Sequence, residues 1–124
     1  MKSSIKLASA LVTAAMSLTA IAGEKDTHEV TFDPNKPFVQ GALGNARNSV
    51  DAVQYIGCQL NSSSALCVAV NSAGVTHSCS TTDPTMLANI RALNGDSWFA
   101  FKWDAVSGVC NLIMVWNDSR YAPK

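Results

Sequence analysis

Charge is scarce in this chain. Asp, Glu, Lys and Arg make up 15% of its 124 residues, and nine acidic side chains cancel nine basic ones. No field of one sign is there to draw nucleic acid or another polyanion. Histidine is scarcer still, with two copies, and the chain has no C-x-x-C pair, H-E-x-x-H helix, G-x-S-x-G elbow or phosphate-cradling glycine loop. Those absences leave no motif-level ligand set for a metal and no assembled nucleophile or cofactor site, so neither metal nor cofactor is expected. The length excludes a two-domain enzyme, and 48% hydrophobic content with so little charge excludes disorder over most of the chain.

What is present begins with a targeting segment. Residues 1–22 carry Lys2 and Lys6, an apolar stretch from Leu7 to Ile21, and Ala20-Ile21-Ala22, the small-x-small form read by signal peptidase. Ser9, Thr13, Ser17 and Thr19 interrupt the stretch, which falls short of the ~20 apolar residues a membrane span requires. The reading is therefore a signal peptide over 1–22 and one domain over 23–124, with no membrane span after cleavage and a periplasmic or secreted destination. Removing Lys2 and Lys6 leaves seven basic against nine acidic side chains.

Cys58, Cys67, Cys79 and Cys110 all fall in the exported part, and an even count in a small exported domain reads as two disulfides. Turn chemistry narrows the pairing. Asn71-Ser72-Ala73-Gly74 has Asn suited to open a type I turn and Gly suited to a left-handed exit, which sets Cys67 opposite Cys79. Asn61-Ser62-Ser63-Ser64 is a polar four-residue loop that sets Cys58 opposite Cys67. Cys58 and Cys79 then stand two strands apart, about 9 to 10 Å, beyond disulfide reach. Two pairings survive: Cys58–Cys67 with Cys79–Cys110, or Cys67–Cys79 with Cys58–Cys110. The first is preferred, because its second bridge ties the meander to the C-terminal hairpin.

Along the domain, His28 to Phe32 alternates as a short strand, Phe38 to Asn48 is ambiguous, and Val50 to Leu60 reads as a strand. The two cysteine-bearing strands follow. Asp83 to Gly95 is the clearest helix, with Asp83 as cap, Pro84 in the first turn and Met86, Leu87, Ile90 and Leu93 on one apolar stripe. Ser97 to Asp104 and Val109 to Trp116 form a closing hairpin, with Trp103 opposite Cys110, Phe101 opposite Leu112 and Phe99 opposite Met114. The fold class is α+β: an antiparallel sheet of about five or six strands, a meander plus a C-terminal hairpin, with one short helix packed on one face.

Candidate chemistry is sparse. His28 lies near a frayed N-terminus, and His77 falls on the cysteine face as a hydrogen-bonded structural residue. Asp96 and Asp104 flank the Trp-rich strand as the one conceivable carboxylate pair of glycosidase type. The Asn61 and Asn117 sequons read as ordinary turns. The aromatic residues are the better lead: Trp98, Trp116, Tyr55 and Tyr121 sit off the most apolar row or near element ends, where flat rings can meet a protein or carbohydrate ligand, and Arg120 and Arg47 can add polar contacts. The expected function is a non-enzymatic exported binding domain. The alternatives are an inhibitor or immunity-type protein acting on a hydrolase or toxin, and a small secreted hydrolase. The run Tyr55-Ile56-Gly57-Cys58, the Cys67 and Ala73-Gly74 spacing to Cys79, and Trp103-Asp104 before Cys110 resemble small exported proteins of Gram-negative bacteria that have no assigned function. That resemblance implies export and disulfides and adds no mechanism.

Overall fold

Turn residues organise the meander as their chemistry requires. A computed structural model describes residues 23–123, and the signal-peptide reading of 1–22 lies outside the described residues. The elements are β1 (Thr31–Phe32), β2 (Phe38–Ala42), α1 (Leu43–Arg47), β3 (Tyr55–Leu60), β4 (Ala65–Val70), β5 (Thr76–Thr81), α2 (Pro84–Arg91), β6 (Ser97–Trp103) and β7 (Cys110–Asn117). Asn71 Oδ1 accepts the N–H groups of Ala73 and Val75, and Gly74 takes φ +80°. Asn61 Oδ1 likewise accepts from Ser63 and Ser64. With both turns closed, Cys58, Cys67 and Cys79 line one row across β3, β4 and β5. The bridges are Cys58–Cys67 and Cys79–Cys110, the preferred pairing.

The α+β class holds, and the strands divide between two antiparallel sheets. One runs β3-β4-β5 and the other β1-β2-β6-β7. Cys79–Cys110 and a bridge between Ser80 and Val109 join them. Their inner faces share one core. Ile56, Cys67 and Ala69 come from the first sheet, Val39, Phe99, Phe101 and Ile113 from the second, and Leu87 and Ile90 from α2.

Helix α2 starts as read, with Asp83 accepting from the Met86 N–H at 2.9 Å and Pro84 behind it, but ends at Arg91 rather than Gly95. The last turn tightens, Ala92 N–H bonding to Asn89 C=O and Leu93 N–H to Ile90 C=O, as helix ends often do. The ambiguous stretch from Phe38 holds both β2 and α1. Gly41 belongs there because a Cβ would come within 3.2 Å of Val30, and Gly44 because a Cβ would lie 1.8 Å from the Ala122 carbonyl. The C-terminal tail thus docks on α1, where Asn48 Nδ2 also donates to Pro123 C=O at 3.1 Å.

The third strand starts at Tyr55, not Val50, because Asp51 organises the residues before it into a loop. Its carboxylate accepts from Gln54 Nε2 at 2.6 Å and from the backbone N–H groups of Val53 and Gln54. Gln54 Oε1 in turn accepts from the buried Val30 N–H at 2.8 Å. The Gln54 side chain first, and the Val53 and Gln54 amides next, lower the Asp51 pKa to about 2. A depressed carboxylate contributes stability that is complete above its unfolded value near pH 4 and is lost as pH falls toward 2. Urea midpoints of the native protein and Asp51→Asn should therefore differ at pH 7 and converge on acidification through that window. A constant gap would refute this role for the carboxylate.

The closing hairpin corrects the expected register. Asp104 N–H bonds to Val109 C=O at 2.9 Å and Trp103 faces Cys110, as read. Beyond them Asn111 is a bulge, so Lys102 faces Leu112, Phe101 faces Ile113 and Phe99 faces Val115. The extra residue turns Ile113 and Val115 into the core and leaves Leu112, Met114 and Trp116 on the opposite face.

Candidate functional site

That register makes the outer face of the four-stranded sheet more apolar than the sequence suggests. Three rows cross it: Ala42, Trp98 and Trp116; Gln40, Ala100 and Met114; Phe38, Lys102 and Leu112. Trp98 is 4% exposed and Trp116 47% exposed, their ring centroids 4.5 Å apart and the planes tilted by 30°. A buried ring thus backs an accessible one. Holding Trp116 against Trp98 reduces the ordering cost of using it as a contact.

The tail brings two more expected residues to this end. Tyr121 is 4% exposed, packs with Ala42, Trp98 and Ala100, and has no partner for its hydroxyl among the described residues. Burial pushes its phenol pKa up. The Arg120 guanidinium lies 5.7 Å from the Tyr121 ring centre and grips Asp118 with two bonds, of 2.9 and 3.2 Å. Those bonds hold the Asp118 carboxyl below its usual range and raise the Arg120 pKa. His28 completes the group, edge-on to Trp98 at 6.4 Å and to Tyr121 at 5.9 Å, with Nε2 3.0 Å from Asp26. His28 is held by its backbone: its N–H donates to Asn45 Oδ1, and its carbonyl accepts from the Ala42 N–H.

Trp98, Trp116, Tyr121 and Arg120 therefore converge, with Trp98 and Tyr121 as buried supports. Tyr55 stands apart, 44% exposed at the start of β3, near Arg47 of α1. Sequence reasoning missed Asp26 and His28, which reach Tyr121 only through a bridge between Asp26 and Tyr121 distant in the chain. It also missed Leu112 and Met114, whose facing depends on the Asn111 bulge.

The hydrolase candidates are not assembled. Asp96 and Asp104 flank opposite ends of β6, roughly 25 Å apart by strand rise, against the 5 to 10 Å a glycosidase pair needs. Asp104 is engaged by its own turn, accepting from Ser107 and Val106, which hold its pKa low. His77 makes no side-chain hydrogen bond among the described residues. It stacks on Trp103 at 4.9 Å and meets Phe32 edge-on at 5.0 Å. Its role there is packing, not the hydrogen-bonded one expected. Among the described residues no three His, Cys, Asp or Glu side chains gather as a metal site, and no helix is long and apolar enough to cross a membrane. Comparison with protein-family models, curated proteins and solved structures finds no match to this chain.

Proposed function

We propose that this chain is an exported, non-enzymatic binding domain that engages a protein or carbohydrate ligand through the outer sheet face headed by Trp116. The observation that supports the reading is the pairing of Trp116, 47% exposed, with a buried Trp98 beneath it. Large aromatic residues backed by packing are the usual energetic centres of binding surfaces, and Leu112, Met114 and Phe38 extend the apolar area beside it. Two disulfides suit the oxidising compartment that export supplies.

The test is capture from periplasmic extract, run alongside a glycan array, with the native protein and Trp116→Ala. A ligand retained by the native protein should be lost at least tenfold in Trp116→Ala while the melting temperature stays close to native. Retention by the variant at native strength would reject this face.

A further inference from the structure

We propose that the free edge of β3 takes up an extended acidic segment of a partner protein as an added strand. The hydrogen-bonding pattern of the meander exposes that edge. Asn71 N–H bonds to Val75 C=O across β4 and β5, while Ser80 N–H points away from β4 to Gly108 C=O. Odd-numbered residues of β4 therefore bond to β5 and its even-numbered residues to β3. Asn61 N–H, which bonds to Ser64 C=O, agrees, and Cys58 and Cys67 occupy the close, non-hydrogen-bonded kind of pair, with Cα atoms 4.0 Å apart. The peptide groups of Ile56, Cys58 and Leu60 consequently point away from the sheet. None of them has a hydrogen-bond partner among the described residues.

The other strand edges are engaged at points along them or are short. Asn89 Nδ2 donates to Ile113 C=O on β7, Ser80 of β5 is bridged to the 104–109 turn, and β1 has two residues. Along β3 the edge opens instead into two hollows of about 490 Å³ each, which share Leu43, Tyr55 and Ile56. Ile56 is buried, whereas Cys58 is half-buried and Leu60 40% exposed, so the edge opens to solvent toward Leu60, where a ligand backbone can reach its peptide groups.

The chemistry of the walls selects the segment. Ile90 and Leu93 line one hollow with Arg91, and Ala46 lines the other with Arg47. Neither arginine is in an ion pair among the described residues. Two unpaired guanidinium groups, one beside each hollow, favour carboxylates on the added strand, while the leucine and isoleucine side chains favour apolar residues between them. Tyr55, which does not reach the Trp116 face, acquires a place here as a wall both hollows share. The proposal shares no residue with the Trp116 face and stands independently of it.

Fluorescence anisotropy with a labelled Asp-Val-Asp-Val-Asp-Val peptide tests it on the disulfide-bonded protein. Saturable binding is expected, weakened at least tenfold when alternate peptide nitrogens are methylated, and at least tenfold in Arg47→Glu/Arg91→Glu shown by circular dichroism to be folded. The Lys-Val-Lys-Val-Lys-Val peptide should not bind, and Trp116→Ala should bind the acidic peptide unchanged. Amide exchange at Cys58 and Leu60, on the accessible part of the edge, should slow in the complex. No binding at millimolar peptide, binding indifferent to N-methylation or to arginine reversal, or loss of binding in Trp116→Ala would overturn it.

Discussion

Cys79→Ala/Cys110→Ala is expected to lower stability by about 4 kcal/mol, and the melting temperature by about 15 °C or more. The bridge closes 31 residues of sequence and joins β5 of one sheet to the first residue of β7 in the other. Contacts between those sheet edges are otherwise few: the Ser80–Val109 bridge, and His77 against Phe32 and Trp103. Cys58→Ala/Cys67→Ala removes a separation of nine between strands already paired by a hairpin. The same chain-entropy estimate gives it about 2.5 kcal/mol. Equilibrium urea unfolding of the two double variants should rank them in that order. The reverse order would show that the sheets are held together mainly by the shared core.

Trp98→Ala should cost about 3 to 5 kcal/mol, whereas Trp116→Ala should cost about 1 kcal/mol or less. Trp98 is 4% exposed and anchors the second apolar cluster with Ala42, Ala100 and Tyr121. Its removal leaves a cavity beneath Tyr121 and the tail. Trp116 has nearly half its surface in water and stacks only on its inner side. Thermal denaturation followed by tryptophan fluorescence and by circular dichroism measures both. Equal losses would mean that Trp116 is a structural lid, and its use as a contact surface would lose its physical basis.

Much of the framework was legible in local chemistry. Asp83 and Pro84 marked the start of α2, and the Asn71 and Asn61 loops set three cysteines in one row, which reduced the disulfide pairings to two. The rest depends on contacts remote in sequence. A five-residue helix with Gly44 inside it carries no periodic signal and forms where the tail lies across it. Asn111 has no side-chain feature that announces a bulge, yet it decides which residues of β7 face outward. The division into two sheets was hidden for the same reason, since β2 pairs with β6 across the whole meander. On the outer face of the four-stranded sheet, Trp98, Trp116, Tyr121 and Arg120 were found as residue types; that Trp98 and Tyr121 are buried supports, Arg120 is half-buried and Trp116 is exposed emerged only from packing.

The pairing of β2 with β6 also has a kinetic meaning. Its partners, such as Val39 and Phe101, lie roughly sixty residues apart, whereas β3, β4 and β5 close through hairpins of a few residues, and pairings of low sequence separation form sooner. The bridges follow the same contrast: Cys58–Cys67 closes a separation of nine residues and Cys79–Cys110 one of 31, so the first is the easier loop to close. If the shorter loop closes first, Cys110 is the one cysteine left for Cys79, and the native pairing follows without a reshuffling step.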